Sequence, residues 1–258
     1  MERIVNRQNG RTIIVPMDHG VTVGPIEGLD KMGEVVDKVA EGGANAVLGH
    51  VGLPMYGHRK YGKDVGLILH LNGSTNLSTA KNNKVLVNTV EEAIKFGADG
   101  VSIHINIGGK DDSDMLSLLG SVSKECRRWG MPLLAMMYPR GENIKDEYDV
   151  EVVKVVARIG AELGADIIKT NWTGDIDSFK QVVKGCPAPV IIAGGAKKGT
   201  RGILETTEDA IKAGAKGVAY GRNIWQAKET TLLTRAICLI VHKDYTADEA
   251  IKETGLKI

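Results

Sequence analysis

Three segments of this chain end a helical stretch in nearly the same way: Phe96-Gly97-Ala98-Asp99, Leu163-Gly164-Ala165-Asp166 and Ala213-Gly214-Ala215-Lys216. In each, glycine falls just past the helix, where a left-handed cap is needed, and an apolar run begins at once. A recurring helix-to-strand junction predicts a recurring α/β unit. Eight apolar runs fit that alternation: Thr12–Met17, Ala46–Leu48, Val65–Leu71, Gly100–Ile107, Pro132–Met137, Ile167–Ile168, Pro189–Ala193 and Gly217–Tyr220. They are apolar almost continuously, which marks strands buried on both faces of an all-parallel sheet.

Helices are predicted between them. Asp30 is placed to cap the first, which ends at Gly42-Gly43; Thr89-Val90-Glu91-Glu92 opens another. Others cover Asp114–Trp129, Asp149–Leu163, Ser178–Lys184 and Thr207–Ala213, with a long one over Ile224–His242 and a short one from Ala247. Gly52–Gly62 reads as irregular. A length of 258 residues suits a (β/α)8 TIM barrel, a single α/β domain over residues 1–258. A doubly wound open sheet should carry GxGxxG after its first strand, and Asp18-His19-Gly20-Val21-Thr22-Val23-Gly24 does not supply it.

Composition narrows the partners. A formal net charge of +1 gives no electrostatic case for nucleic acid or an anionic membrane. No apolar run reaches the length of a membrane span, and the polar N-terminus lacks a signal-peptide core, so a cytoplasmic protein is expected. Cys126, Cys186 and Cys238 are far apart with no CxxC and read as free thiols.

In a barrel of this class the reactive groups sit at the C-terminal ends of the strands. That rule selects Asp18 and His19 after the first strand, His50 after the second and His104 in the fourth. It selects Tyr138 and Arg140 after the fifth, Lys169 at the end of the sixth, Gly194-Gly195 after the seventh and Gly221-Arg222 after the eighth. A lone strand-end lysine usually reaches out to solvent. At the mouth of an apolar strand, however, a cation is costly to desolvate, which favours the free amine as a nucleophile. The neighbouring glycine turns can line an anion pocket with backbone N–H groups, Arg222 adding charge, where this fold ordinarily grips phosphate. An amine, a phenol and a carboxylate around such a grip suit imine chemistry: the lysine condenses with a ketone, and the protonated imine accepts electrons when a carbon–carbon bond breaks. Tyr138 can shuttle a proton and Asp18 can take one from a hydroxyl. A rival set, His50, His70 and His104, could hold Zn²⁺, but no HxxH or HxH pair supports it, and neither metal nor cofactor is expected.

Pro16-Met17-Asp18-His19-Gly20, Met136-Met137-Tyr138-Pro139-Arg140-Gly141 and the run Asp166–Asp175 resemble the archaeal class I, Schiff-base aldolases, in particular their heptulosonate-forming branch. The resemblance covers nearly the whole chain. It implies Lys169 as the Schiff-base lysine, Tyr138 as proton donor and Asp18 as proton acceptor. It implies that Asp18, His19, Gly20, Val21 and Thr22, with Tyr138, Pro139 and Arg140, line the substrate site. Gly194-Gly195, Gly221 and Arg222-Asn223 would hold phosphate. The implied substrates are a ketose phosphate, 6-deoxy-5-ketofructose 1-phosphate, and L-aspartate semialdehyde, joined by transaldol transfer on the archaeal route to aromatic amino acids. A homo-oligomer, a decamer built from rings, is also implied. Fructose-1,6-bisphosphate aldolases share the same motifs and form the alternative; a sugar-phosphate-binding barrel without catalysis is a more distant one. The chain departs from the family in two places. Relatives carry an additional N-terminal segment, and Gly194-Gly195-Ala196-Lys197-Lys198-Gly199 lacks a proline after its glycines.

Overall fold

The computed structural model describes residues 1–57, 64–196 and 199–258. In chain order, β1 (Thr12–Pro16) leads to α1 (His19–Val23) and α2 (Met32–Gly42), and β2 (Ala46–Gly49) to α3 (Gly52–Tyr56). β3 (Gly66–His70) is followed by a hairpin of β4 (Asn72–Gly73) and β5 (Val85–Leu86), then α4 (Val90–Lys95). β6 (Gly100–Ile107), α5 (Asp112–Trp129), β7 (Leu133–Pro139), α6 (Val150–Glu162), β8 (Ile167–Thr170) and α7 (Ile176–Gly185) come next. β9 (Val190–Ala193), α8 (Gly199–Lys212) and β10 (Gly217–Ala219) complete the staves, and α9 (Arg222–Trp225), α10 (Thr230–Lys243) and α11 (Ala247–Thr254) end the chain. Among the described residues, eight parallel strands close in the order β1-β10-β9-β8-β7-β6-β3-β2, the (β/α)8 barrel expected.

The repeated junction has a geometric cause. Gly97, Gly164 and Gly214 take φ of +66°, +92° and +98°. In each case the following alanine N–H reaches back to a helix carbonyl: Ala98 to Ala93, Ala165 to Gly160 and Ala215 to Ala210. The aspartate after it serves the neighbouring strand. Asp99 Oδ2 accepts from Leu67 N–H at 2.9 Å and Asp166 Oδ2 from Leu133 N–H at 2.8 Å. The junctions at Gly97 and Gly164 therefore each end a helix and satisfy the exposed start of the neighbouring, preceding stave, whereas the one at Gly214 carries Lys216 in place of the aspartate.

Strand pleat divides the apolar residues between two cores. Alternate positions pack either outward against helices, as Ile103, Ala135, Ile168 and Ile192 do, or inward, as Leu48, Ile68, Met136 and Ile191 do. The inner core is closed below by the N-terminal segment. Ile4 is buried within it, and its carbonyl accepts from the Thr12 hydroxyl. The barrel floor is thus covered by residues ahead of β1.

Several elements differ from the sequence expectation. Asp30 does not cap α2, which starts after Lys31 without a side-chain cap. Gly52–Tyr56 forms a helical turn; residues 58–63 of the stretch read as irregular lie outside the described residues. α8 begins eight residues earlier than Thr207, because burial of Ile203 and Leu204 overrides the low propensity of its glycines. The helix expected over Ile224–His242 is broken, since Trp225 is drawn against the C-terminal end of β1, where its Nε1–H donates to the Pro16 carbonyl at 3.0 Å. The β4–β5 hairpin was not expected at all.

Candidate active site

Lys169 follows the pleat of β8. Ile167 packs inside the barrel, so Lys169, two residues on, also points in. Its register partners are Met136 on β7 and Ile191 on β9. The side chain is 7% exposed, and Nζ faces the Met136 sulfur at 3.9 Å. It lines a cleft of about 730 Å³ at the C-terminal mouth of the barrel. An amine held in this way has lost its rotamer freedom and much of its hydration before any substrate arrives.

Asp18 leaves β1 facing the same cleft. Its carboxylate lies 3.6 Å from His19 Nδ1 and 3.9 Å from His70 Nε2. Burial pushes the carboxyl up, but His70, His19, Lys169 and His50 together outweigh it and hold Asp18 well below the usual carboxylate range. Asp18 is therefore held as the carboxylate anion. His70 Nδ1 meets Ser102 Oγ at 2.8 Å, and its ring stands 5.0 Å from His50. Burial, opposed by Asp18, pushes His70 down to about 3. An unfolded histidine titrates near 6.5, so between those values the unfolded chain binds a proton that the folded chain does not. Stability is thus full above the upper value and is lost as pH falls through the window. For His70 alone the loss at pH 5 is about 2 kcal/mol. His70→Gln is expected to shrink the drop in denaturation midpoint between pH 7 and pH 5; an unchanged drop would assign it to other groups.

Tyr138 sits on the inward phase of β7, two residues beyond Met136, and is 6% exposed. Its ring tilts against His104 at 4.9 Å, and the Arg140 guanidinium lies 4.6 Å over its face. Arg140 is aimed by Glu147, whose Oε2 accepts from Nε at 2.9 Å; Asn171 Nδ2 ties the Glu147 carbonyl at 2.8 Å. Burial drives His104 well below its ordinary value, with Lys84 and Arg140 pushing the same way. The neutral ring donates from Nε2 to Asn106 Oδ1 at 2.9 Å.

The glycine turns after β9 and β10 lie side by side, as Val218↔Ile192 and Ala219↔Ala193 pairing requires. Gly195 has φ +60°. At Gly221 a Cβ would stand 2.7 Å from the His19 ring and 3.0 Å from the Pro16 carbonyl, so only glycine lets β10 end this close to β1. Asn223 Nδ2 holds the Gly194 carbonyl at 3.1 Å, and Arg222 lines the rim.

The DeoC/LacD family aldolase profile matches residues 12–227. The chain belongs to the DeoC/LacD aldolase family. It is 42% identical over 255 residues to 2-amino-3,7-dideoxy-D-threo-hept-6-ulosonate synthase 1 of Archaeoglobus fulgidus, covering 99% of this chain and 94% of that protein. It is 32% identical over 256 residues to 2-amino-4,5-dihydroxy-6-oxo-7-(phosphonooxy)heptanoate synthase of Streptomyces griseus, covering 99% and 93%. Among solved structures, an archaeal fructose-1,6-bisphosphate aldolase with its catalytic lysine bound to the substrate carbinolamine superposes with a TM-score of 0.85, at 31% identity and over 93% of this chain and 97% of that one.

This aldolase gathers Asp18, His19, Thr22, Tyr138, Arg140 and Lys169 around one cleft, together with Gly194, Gly195, Gly221, Arg222 and Asn223. Gly20, Val21 and Pro139 do not line it. α1 turns about 100° per residue, so His19 and Thr22 face the cleft while Gly20 and Val21 are exposed, and Val23, itself exposed, only borders the cleft; Pro139 occupies the outward phase of β7. Lys197 and Lys198, in the strand-end motif without proline, lie outside the described residues. Lys84, Asn106, Glu147 and Asn171 also line the cleft and were missed. For His104 and Asn106 the signal was present, since they share the inward phase of β6. Lys84 had none. His50, His70 and His104 sit in the upper barrel as hydrogen-bonded or stacked rings; among the described residues no three His, Cys, Asp or Glu side chains form a metal-binding group. No helix among the described residues is long and apolar enough to cross a membrane.

Proposed function

We propose that this aldolase is a 2-amino-3,7-dideoxy-D-threo-hept-6-ulosonate synthase, acting on 6-deoxy-5-ketofructose 1-phosphate and L-aspartate semialdehyde. The observation that carries the chemistry is the buried Lys169 amine at the mouth of β8, in one cleft with Asp18 and Tyr138. The name of the Archaeoglobus relative, at 42% identity, supports the substrate pair. Lys169 attacks the ketone, and loss of water yields an iminium. Asp18 takes the proton of the hydroxyl next to the scissile bond; the bond electrons move into the iminium, and hydroxypyruvaldehyde phosphate leaves. The enamine that remains on Lys169 adds to the aldehyde of the second substrate, Tyr138 protonates the new alkoxide, and water releases the product. Gly194-Gly195, Gly221 and Arg222-Asn223 hold the phosphate during the first half. The reading places the enzyme in the cytoplasm, as an assembly of identical subunits. The exposed Leu77, Val85 and Val87 support assembly.

A second reading, fructose-1,6-bisphosphate cleavage, is favoured by the fold match to that aldolase. Steady-state assays with each substrate pair test the proposal. Turnover of the ketofructose phosphate that depends on L-aspartate semialdehyde is the expected result. Faster cleavage of fructose 1,6-bisphosphate would replace it with the second reading.

A further inference from the structure

Across the cleft from the glycine turns lies a second buried lysine that no step above uses. In the closed barrel, β6 and β3 stand four places from β10 and β9, on the opposite wall. There the chain leaves β3 for the β4–β5 hairpin, and the connecting segment carries Lys84 back over the mouth. Lys84 is 8% exposed, which is unusual for lysine. Its ammonium donates to Ser74 Oγ at 2.8 Å, and that hydroxyl donates to the Lys81 carbonyl at 2.6 Å. The segment is fastened to β6 by Asn106 Nδ2, which donates to the Asn82 carbonyl at 2.9 Å. Below it, the Asn72 amide pairs with both the N–H and the carbonyl of His104, at 2.8 Å each. The lysine is therefore positioned by a built network.

Burial lowers the Lys84 amine, against a pull from Asp18, and Arg140, whose N–H is bonded to the Ile107 carbonyl at the end of β6, lowers it further by repulsion. Lys84 and Arg140 line one cleft with the neutral His104, and an incoming anion relieves their mutual repulsion. Glu147, paired to Arg140 at 2.9 Å, offers a carboxylate beside them. An α-amino acid presents the matching pair of charges.

We propose that Lys84, together with Arg140, binds the α-carboxylate of the amino-acid aldehyde acceptor, with Glu147 facing its α-ammonium. This rests on the transfer reading above. The aldehyde carbon must reach the enamine on Lys169, and the charged end of the short acceptor then lies against a wall of the cleft. The glycine turns supply one anion site and Lys84 a second one opposite it.

The test is Lys84→Met, which keeps the stem and removes the charge. Incubation with the keto-sugar phosphate donor alone, followed by borohydride, is expected to label Lys169 equally in wild type and variant. The KM for L-aspartate semialdehyde is expected to rise about tenfold or more, because a charge-assisted contact is lost. Lys84→Arg should recover most of it, and kcat/KM for propanal, which has no carboxylate, should not move. An unchanged KM for the amino aldehyde, or an equal loss with propanal, would overturn the assignment. Weakened labelling by fructose 1,6-bisphosphate with no change toward the amino aldehyde would overturn it in favour of a distal phosphate. Absence of donor labelling in the wild type would instead reject the transfer reading itself.

Discussion

Lys169→Ala is expected to lower turnover roughly 10⁵-fold, the scale on which removal of a covalent nucleophile acts. The residue lies on a fully buried strand, on the inward phase, with its amine against the Met136 sulfur and inside the cleft. Among the described residues, Lys84 is the other buried lysine, and it is bound to Ser74 on the far wall. Borohydride added in the presence of donor should fix a ketose-derived mass on Lys169 in the wild type and none in the variant. The alanine protein should still fold, because the change removes a buried polar amine and leaves the apolar neighbours Ile167 and Ile191 in place. Label on another lysine, or activity retained within tenfold, would reject the imine mechanism.

Tyr138→Phe is expected to lower kcat by about 10² to 10⁴, the range of general acid–base catalysis, and to change KM little. Phenylalanine keeps the ring that packs against His104 at 4.9 Å and beneath Arg140 at 4.6 Å, so those contacts survive. What disappears is the phenolic proton alone. Steady-state kinetics separate the outcomes: a fall in kcat with constant KM assigns proton transfer, whereas equal changes in both would assign a packing role. Borohydride trapping adds a second readout, since the variant should still form the lysine adduct while failing to complete transfer.

Much of this site was legible before any coordinates. Asp18, Tyr138 and Lys169 each stand where an apolar run turns polar, and a parallel barrel sends those points to one mouth. The junctions at Gly97, Gly164 and Gly214 were readable because a left-handed cap restricts the residue types that can occupy it. Illegible were features whose cause is remote in sequence. The α9–α10 break depends on Trp225 finding the Pro16 carbonyl, more than two hundred residues earlier. Lys84 sits in the cleft because Asn72 and Asn106, on separate elements, hold the hairpin segment against β6.

The sequence by itself determined the alternation of staves and helices, the class of barrel and the placing of Lys169, Asp18 and Tyr138 at strand ends, since these follow from spacings of a few residues. Only the tertiary structure decided what each group faces: His70 beside Asp18, Arg140 over Tyr138 and aimed by Glu147, and a second cation opposite the glycine turns. Pleat and turn are local properties of the backbone. Which side chains meet across the mouth is set by closure and register, and these bring together residues that no short stretch of chain contains.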